Sequence, residues 1–156
     1  MLFLEFFAAW LYGHVLEYCL HRYVLHNRKI LNGVAFKFHF AQHHKVARQN
    51  DMVDERYYTG SKFSVYDHEV KALLFMALIH LPVASISITA YATLLFSLVS
   101  YFAVHSMNHV NNDMVRRWLP WHTWHHMEKN QNMNFGVRLP IIDILMGTYV
   151  PRGSKN

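Results

Sequence analysis

Apolar and polar residues fall into long blocks along this chain. Residues 1–20 are almost wholly apolar, interrupted by Glu5, Gly13, His14 and Glu17. Twenty helical residues reach roughly 30 Å, about one hydrocarbon core, so this block predicts a first membrane helix. The helix is expected to continue through His21–His26. Residues 27–33 form a polar break with Asn32-Gly33 as turn signal. Residues 36–45 predict a helix lying along the membrane surface. Residues 46–69 are polar and tyrosine-rich, and predict a loop or short surface helices carrying His68 at the surface. A long apolar run then covers 70–104, broken by His80 and Pro82. A single helix of that length would be on the order of 50 Å, too long for one crossing. Two short spans, 70–84 and 86–104, joined by a turn near Pro82 and Ser85 fit better, with His80 near the far interface. The second span spaces Ser85, Thr89, Thr93 and Ser97 four apart, with Ser100 following, a seam that predicts a helix-packing face. Beyond it lie a capping-type break at Asn111-Asn112-Asp113 and a group, Arg116, Arg117, Trp118 and Trp121, that resembles an interfacial anchor. The tail from Asn134 has no further long apolar run.

The fold expected is all-α: a small membrane protein, one domain over 1–156, with about three transmembrane helices. A histidine-rich helical cap over 21–69 and 105–156 would hold a di-metal site. Composition agrees. Of 156 residues, 53% are apolar and only 16% charged, below the usual quarter for a soluble domain. Cys19 is the only cysteine, which excludes an intramolecular disulfide and a cysteine-based zinc site. No cleavable signal peptide is expected, because Glu5 interrupts the first block and no basic region precedes it. The net charge of +5 lacks the basic stripe interleaved with stacking aromatics of a nucleic-acid binder, so no nucleic-acid partner is expected. Its placement suits membrane topology. All fifteen lysines and arginines lie on the side that the first span exits and the hairpin returns to. The positive-inside rule makes that side cytoplasmic, so the expected localisation is integral, multi-pass, with the active site facing the cytoplasm.

Candidate chemistry sits on the same side. Ten of the thirteen histidines fall in four boxes. They are His21 and His26; His39, His43 and His44; His105 and His109; and His122, His125 and His126. The last three, at i, i+3 and i+4, share one face of a helix and read as a metal half-site. His39 and His43, at i, i+4, also share a face. Core histidines would scatter, and clusters like these are costly to bury or charge without a cation. One zinc or iron takes four to six ligands, so ten imidazoles imply two metals. A catalytic pair with open positions for oxygen suits that excess, and an apolar substrate needs metal-activated O2 to attack its C–H bonds. Glu17, one turn before His21, is either the partner of that ring's second nitrogen or a snorkelling carboxylate. His14 reads as a packed helix residue.

These boxes, His21-Arg22-Tyr23-Val24-Leu25-His26, His39-Phe40-Ala41-Gln42-His43-His44, His105-Ser106-Met107-Asn108-His109 and His122-Thr123-Trp124-His125-His126, resemble those of the fatty acid hydroxylase and sterol desaturase superfamily. The ending Asn134-Phe135-Gly136, Pro140, Asp143 and Gly147-Thr148 is similar too. The resemblance covers about residues 17–148. It implies a membrane-embedded non-haem di-metal oxygenase using O2, with two iron ions in the active form and zinc able to substitute in purified protein. Members hydroxylate or desaturate fatty acids, sphingolipids, sterols or carotenoids. Lipid hydroxylation is the reaction expected here, with desaturation or carotenoid ring hydroxylation as alternatives. Glu17, Asn108, Asn134 and Asp143 are candidates to support the ligands. The second box departs from the family in having three residues between His39 and His43 rather than two. No cytochrome b5-like domain falls within these residues, so a separate electron donor (cytochrome b5-like, ferredoxin or reductase) is expected beside the lipid substrate. The rival of another class is a non-catalytic membrane metal-binding protein. Transport is disfavoured because His80 is the only acidic or basic residue between Lys71 and His105.

Overall fold

The computed structural model describes residues 2–64, 67–110 and 113–152, and among these every regular element is helical. The Asn111-Asn112 part of the expected capping break lies outside the described residues. α1 spans Leu2–Leu20 and passes directly into a π-helical stretch, His21–Leu25. The turn Ile30–Gly33 carries three successive left-handed residues, Leu31, Asn32 and Gly33, at φ 49°, 52° and 73°. Such a run reverses the chain direction and is costly for a residue like Leu31. The chain then winds as α2 (Val34–Phe36), a π-helix over Lys37–His44, and α3 (Lys45–Gln49).

α4 (His68–Ile79) is capped by Asp67, whose carboxylate accepts the Glu69 N–H at 2.8 Å. It stops at His80 because Leu81 precedes Pro82, where α geometry is sterically disfavoured. A 3-10 turn over Leu81–Ser85 follows, and Ser87 caps α5 (Ile88–Asn108) by accepting the Ala90 N–H at 3.0 Å. Three short helices complete the chain: α6 (Asp113–Trp118), α7 (Pro120–Met127) and α8 (Ile141–Leu145).

α1 and α5 pack side by side in the same direction. Ser87 donates to Glu5 at 2.6 Å near their starts, and Arg138 bridges Glu17 and Ser100 near their ends. The Thr93 and Ser97 part of the small-residue seam lies between them, whereas Ser85 falls in the exposed turn before α5. A Cβ on Gly13 would sit 2.6 Å from Ser97 Oγ, so the approach requires bare backbone, and Thr93 and Ser97 are buried. α4 runs antiparallel to α5, with the Tyr91 hydroxyl donating to the Ala77 carbonyl. The histidine ends of all three helices therefore coincide, and Pro82, Ser85 and His80 lie at the other end.

The outward faces are apolar. Phe3 and Phe7 on α1, Phe75 and Leu78 on α4, and Phe96 and Val99 on α5 are exposed. Two stretches, Ser61–Ser85 and Ile88–Asn108, are long and apolar enough to cross a membrane, and Leu2–Leu20 is not among them. The hairpin differs in detail from the sequence expectation. α4 ends at Ile79, the turn occupies 80–87, and α5 extends to Asn108, so His105 is on the long helix itself. Trp121 is also corrected. It is buried, with its indole N–H donated to the Val137 carbonyl at 3.0 Å, so it holds the core and does not anchor an interface. Trp118 is 77% exposed.

Candidate metal centre

The π-helical turns explain the spacing of the first two boxes. Residues five apart on an α-helix point roughly 140° away from each other. A π-helix, with its i→i+5 bonds, brings them back toward one face. His26 N–H bonds to His21 O at 3.2 Å in that pattern. His21 with His26, and His39 with His44, are thereby paired. His39 and His43 do not share a group as α spacing predicts. The three-residue gap of the second box is what this winding requires.

All ten box histidines converge. His21, His26, His39, His44 and His125 form one group, and His43, His105, His109 and His126 an adjoining one, with nitrogens within 4.8 Å of one another in each. His122 stands beside the second group, its Nε2 3.3 Å from that of His109. The three histidines of α7 are therefore not a half-site for one ion. His125 joins the first group, His126 the second, and His122 stands beside the second, so α7 supplies side chains to both. Nine of the ten are buried and His26 is half-buried.

Hydrogen bonding fixes the tautomers. His21, His125 and His109 place Nδ1 at 2.6, 2.6 and 2.7 Å from the carbonyls of Phe135, Met133 and Met52. A carbonyl only accepts, so these nitrogens carry the proton and Nε2 carries a lone pair. His44 Nδ1 faces the Gln131 amide oxygen at 3.1 Å. In the second group His105 Nδ1 lies 2.5 Å from Glu69, which also accepts from Tyr57, and His43 Nδ1 lies 3.4 Å from Asp54. The Nε2 lone pairs of His43 and His105 then meet, and those of His21 and His44 converge on the Nε2 of His39. His43 and His105 stand 3.2 Å apart, while His39 Nε2 is 2.9 Å from His21 and 3.1 Å from His44. His125 Nε2 and both nitrogens of His126 are buried without a protein partner. Lone pairs aimed at one another in a buried space repel unless a cation lies among them, so this donor set fits transition-metal ions. Burial pushes the same way, favouring neutral rings. It holds His21 and His109 down to about 3 and His26 to about 2, and the neighbouring imidazoles add to the effect.

Beneath the histidines lies a cavity of about 500 Å³ between α1, α4 and α5. His21, His39, His43 and His105 line one end, and Leu16, Leu73, Met76, Leu94 and Leu98 form walls that run toward His80. That volume and apolar lining suit a small lipid.

The fatty acid hydroxylase family model matches residues 6–148. The chain belongs to the fatty acid hydroxylase family. Membership implies metal-dependent, membrane-associated oxidoreductase chemistry of the lipid hydroxylase and desaturase type. Comparison with curated proteins and with solved structures gives no significant match.

Within this family member, several supporting residues differ from expectation. Glu17 does not hold His21. Its carboxylate accepts the Val137 and Arg138 N–H groups and pairs with the Arg138 guanidinium at 2.6 Å, so it is a buried ion pair and does not snorkel. Asn108 donates to the Val104 carbonyl, and Asn134 exchanges two hydrogen bonds with Val150, so neither supports a histidine directly. Asp143 acts one step away. It accepts the Phe135 and Gly136 N–H groups and the Thr148 hydroxyl, fixing the loop whose Phe135 carbonyl holds His21. A Cβ on Gly136 would lie 2.4 Å from the Leu139 carbonyl, which explains the glycine of the closing pattern. Sequence reasoning missed Glu69, Asp54, Tyr57 and Gln131, none of which lies within a box. It also missed the carbonyls of Met52, Met133 and Phe135. His14 packs on Trp10, and His68 stacks on Phe38 at an exposed position, as expected.

Proposed function

We propose that the chain is a membrane-bound, O2-dependent lipid hydroxylase with two iron ions held by His21, His26, His39, His43, His44, His105, His109, His122, His125 and His126. The supporting observation is the pair of adjoining histidine groups at one end of an apolar cavity. Bound iron would supply the oxidising power toward an unactivated C–H bond of a fatty acyl or sterol-like substrate. The chain's own residues do the rest. The Nδ1 partners orient six of the rings, the apolar walls position the substrate and exclude water, and the cavity's end brings one carbon beside the histidines. α1 is read as a third span, because it lies parallel to α5 and its outer face is apolar. The basic residues at the histidine end then face the cytoplasm, where a separate electron donor would dock.

The test is lipid analysis of a host expressing the wild type beside a His122→Ala, His126→Ala double variant under 18O2. A new lipid carrying 18O only with the wild type supports hydroxylation. A lipid two hydrogens lighter and unlabelled indicates desaturation. Unchanged lipids in several substrate backgrounds, with metal and electron donor present, would point to a non-catalytic metal protein.

A further inference from the structure

His80 is a basic side chain within an apolar hairpin, a placement that is costly and calls for a named partner. Its Nδ1 lies 2.7 Å from the Met76 carbonyl, so that nitrogen donates and Nε2 holds the lone pair. The Tyr12 hydroxyl, 2.9 Å away, donates to it. The two rings also meet edge-on, with centroids 5.7 Å apart. This clasp ties the end of α4 to α1. It also stands between two cavities. The large one runs from the histidine groups to His80. A second, of about 360 Å³, lies beyond it, lined by Glu5, Tyr12, Val83 and Ala90, and shares His80 and Leu94 with the first. From Glu69, beside His105, to His80 is eleven residues of α4, about 16 Å of helix.

We propose that the Tyr12–His80 clasp is the floor of the substrate cavity and selects lipid chain length. The inference rests on the reading that the cavity takes a lipid chain. Along the apolar walls each added methylene strengthens binding roughly fourfold. At the clasp that gain ends. A longer tail must fold back or push apart two side chains held by their own hydrogen bond and edge-on ring contact. The floor thereby sets how much of the tail lies beyond the histidines, and so which carbon sits beside them.

The experiment needs no turnover. Straight-chain saturated fatty acids of increasing length displace a fluorescent acyl probe from the purified, metal-loaded full chain. Wild-type affinity is expected to rise with length and then level off. His80→Ala joins the two cavities and should move that break to longer chains. Ala77→Phe narrows the wall one turn above the clasp and should move it to shorter ones. Tyr12→Phe should move it less than His80→Ala. An unmoved break in both His80→Ala and Ala77→Phe, with wild-type helicity and metal content, would overturn the floor. If His80→Ala fails to fold, Ala77→Phe alone decides. Wild type that binds the acids but shows no break overturns the floor and leaves the lipid reading standing. Wild type that binds no acyl chain of any length removes the lipid reading, and the floor with it.

Discussion

The two histidine groups are built from the same side chain and supported differently. In the first, the acceptors behind the rings are neutral: the carbonyls of Phe135 and Met133 and the amide of Gln131. In the second they include two carboxylates, Glu69 behind His105 and Asp54 behind His43, with the Met52 carbonyl behind His109. A carboxylate behind an imidazole raises its basicity and makes it a stronger donor to a cation. The two groups also depend on different parts of the chain. The first leans on the tail, through Asp143 and the loop it holds, and the second on the segment around 52–69. Equal ligand type thus conceals unequal surroundings, and on the proposed two-metal reading the second group should hold its ion more tightly.

The largest effect expected comes from removing the donors that α7 gives to the two groups at once. His125→Ala with His126→Ala takes a donor from each group, and metal content should fall from about two per chain to near zero, with activity lost. Elemental analysis checks this, and full retention of metal would break the di-metal reading. Next is Asp143→Ala. It strands the buried Phe135 and Gly136 N–H groups and should cost about 3 kcal/mol or more in thermal unfolding. Because the tail serves the first group, that position should empty first in a chelator titration. Glu69→Gln and Asp54→Asn should act on the second position, weakening it about 10–100-fold. If these variants deplete both positions equally, the asymmetry is wrong.

Acidification should act on both groups. The folded rings of His21 and His109 titrate at about 3, against an ordinary 6.5. Between those values the unfolded chain binds more protons than the folded one. Stability of the metal-free protein should therefore fall as pH drops below about 6.5, and continue to fall toward about 3. Thermal melts across that range test the sign, and a rise in stability on acidification would contradict it. The smallest effect expected is Gln131→Ala, which removes a neutral acceptor from His44 and should weaken the first position by less than tenfold.

Much of this was legible because its signals are local. The apolar blocks, the hairpin with its turn near Pro82, the single-ended placement of the boxes and the small-residue seam follow from composition and spacing alone. The partners of the rings were not legible. Glu17 stands one turn from His21, which made it the obvious candidate, yet Arg138, 121 residues later, takes its carboxylate together with two backbone N–H groups. Carbonyl acceptors such as Met52 and Phe135 belong to the backbone and leave no trace in side-chain patterns. The closing pattern showed Asp143 but not that it works through the Phe135 carbonyl.

The sequence by itself determined that ten imidazoles would be gathered at one end of an apolar helical bundle, because hydropathy sets where chain segments can lie and charging a buried cluster is prohibitive. Only the tertiary structure decided how the ten divide. α7 supplies side chains to both groups, and the π turns at His21–Leu25 and Lys37–His44 rotate residues five apart into register. A change of winding costs little locally and is chosen by whatever packs against it. The division into five and four with His122 beside them is therefore a property of the packed state, which spacing read as an ordinary α-helix does not contain.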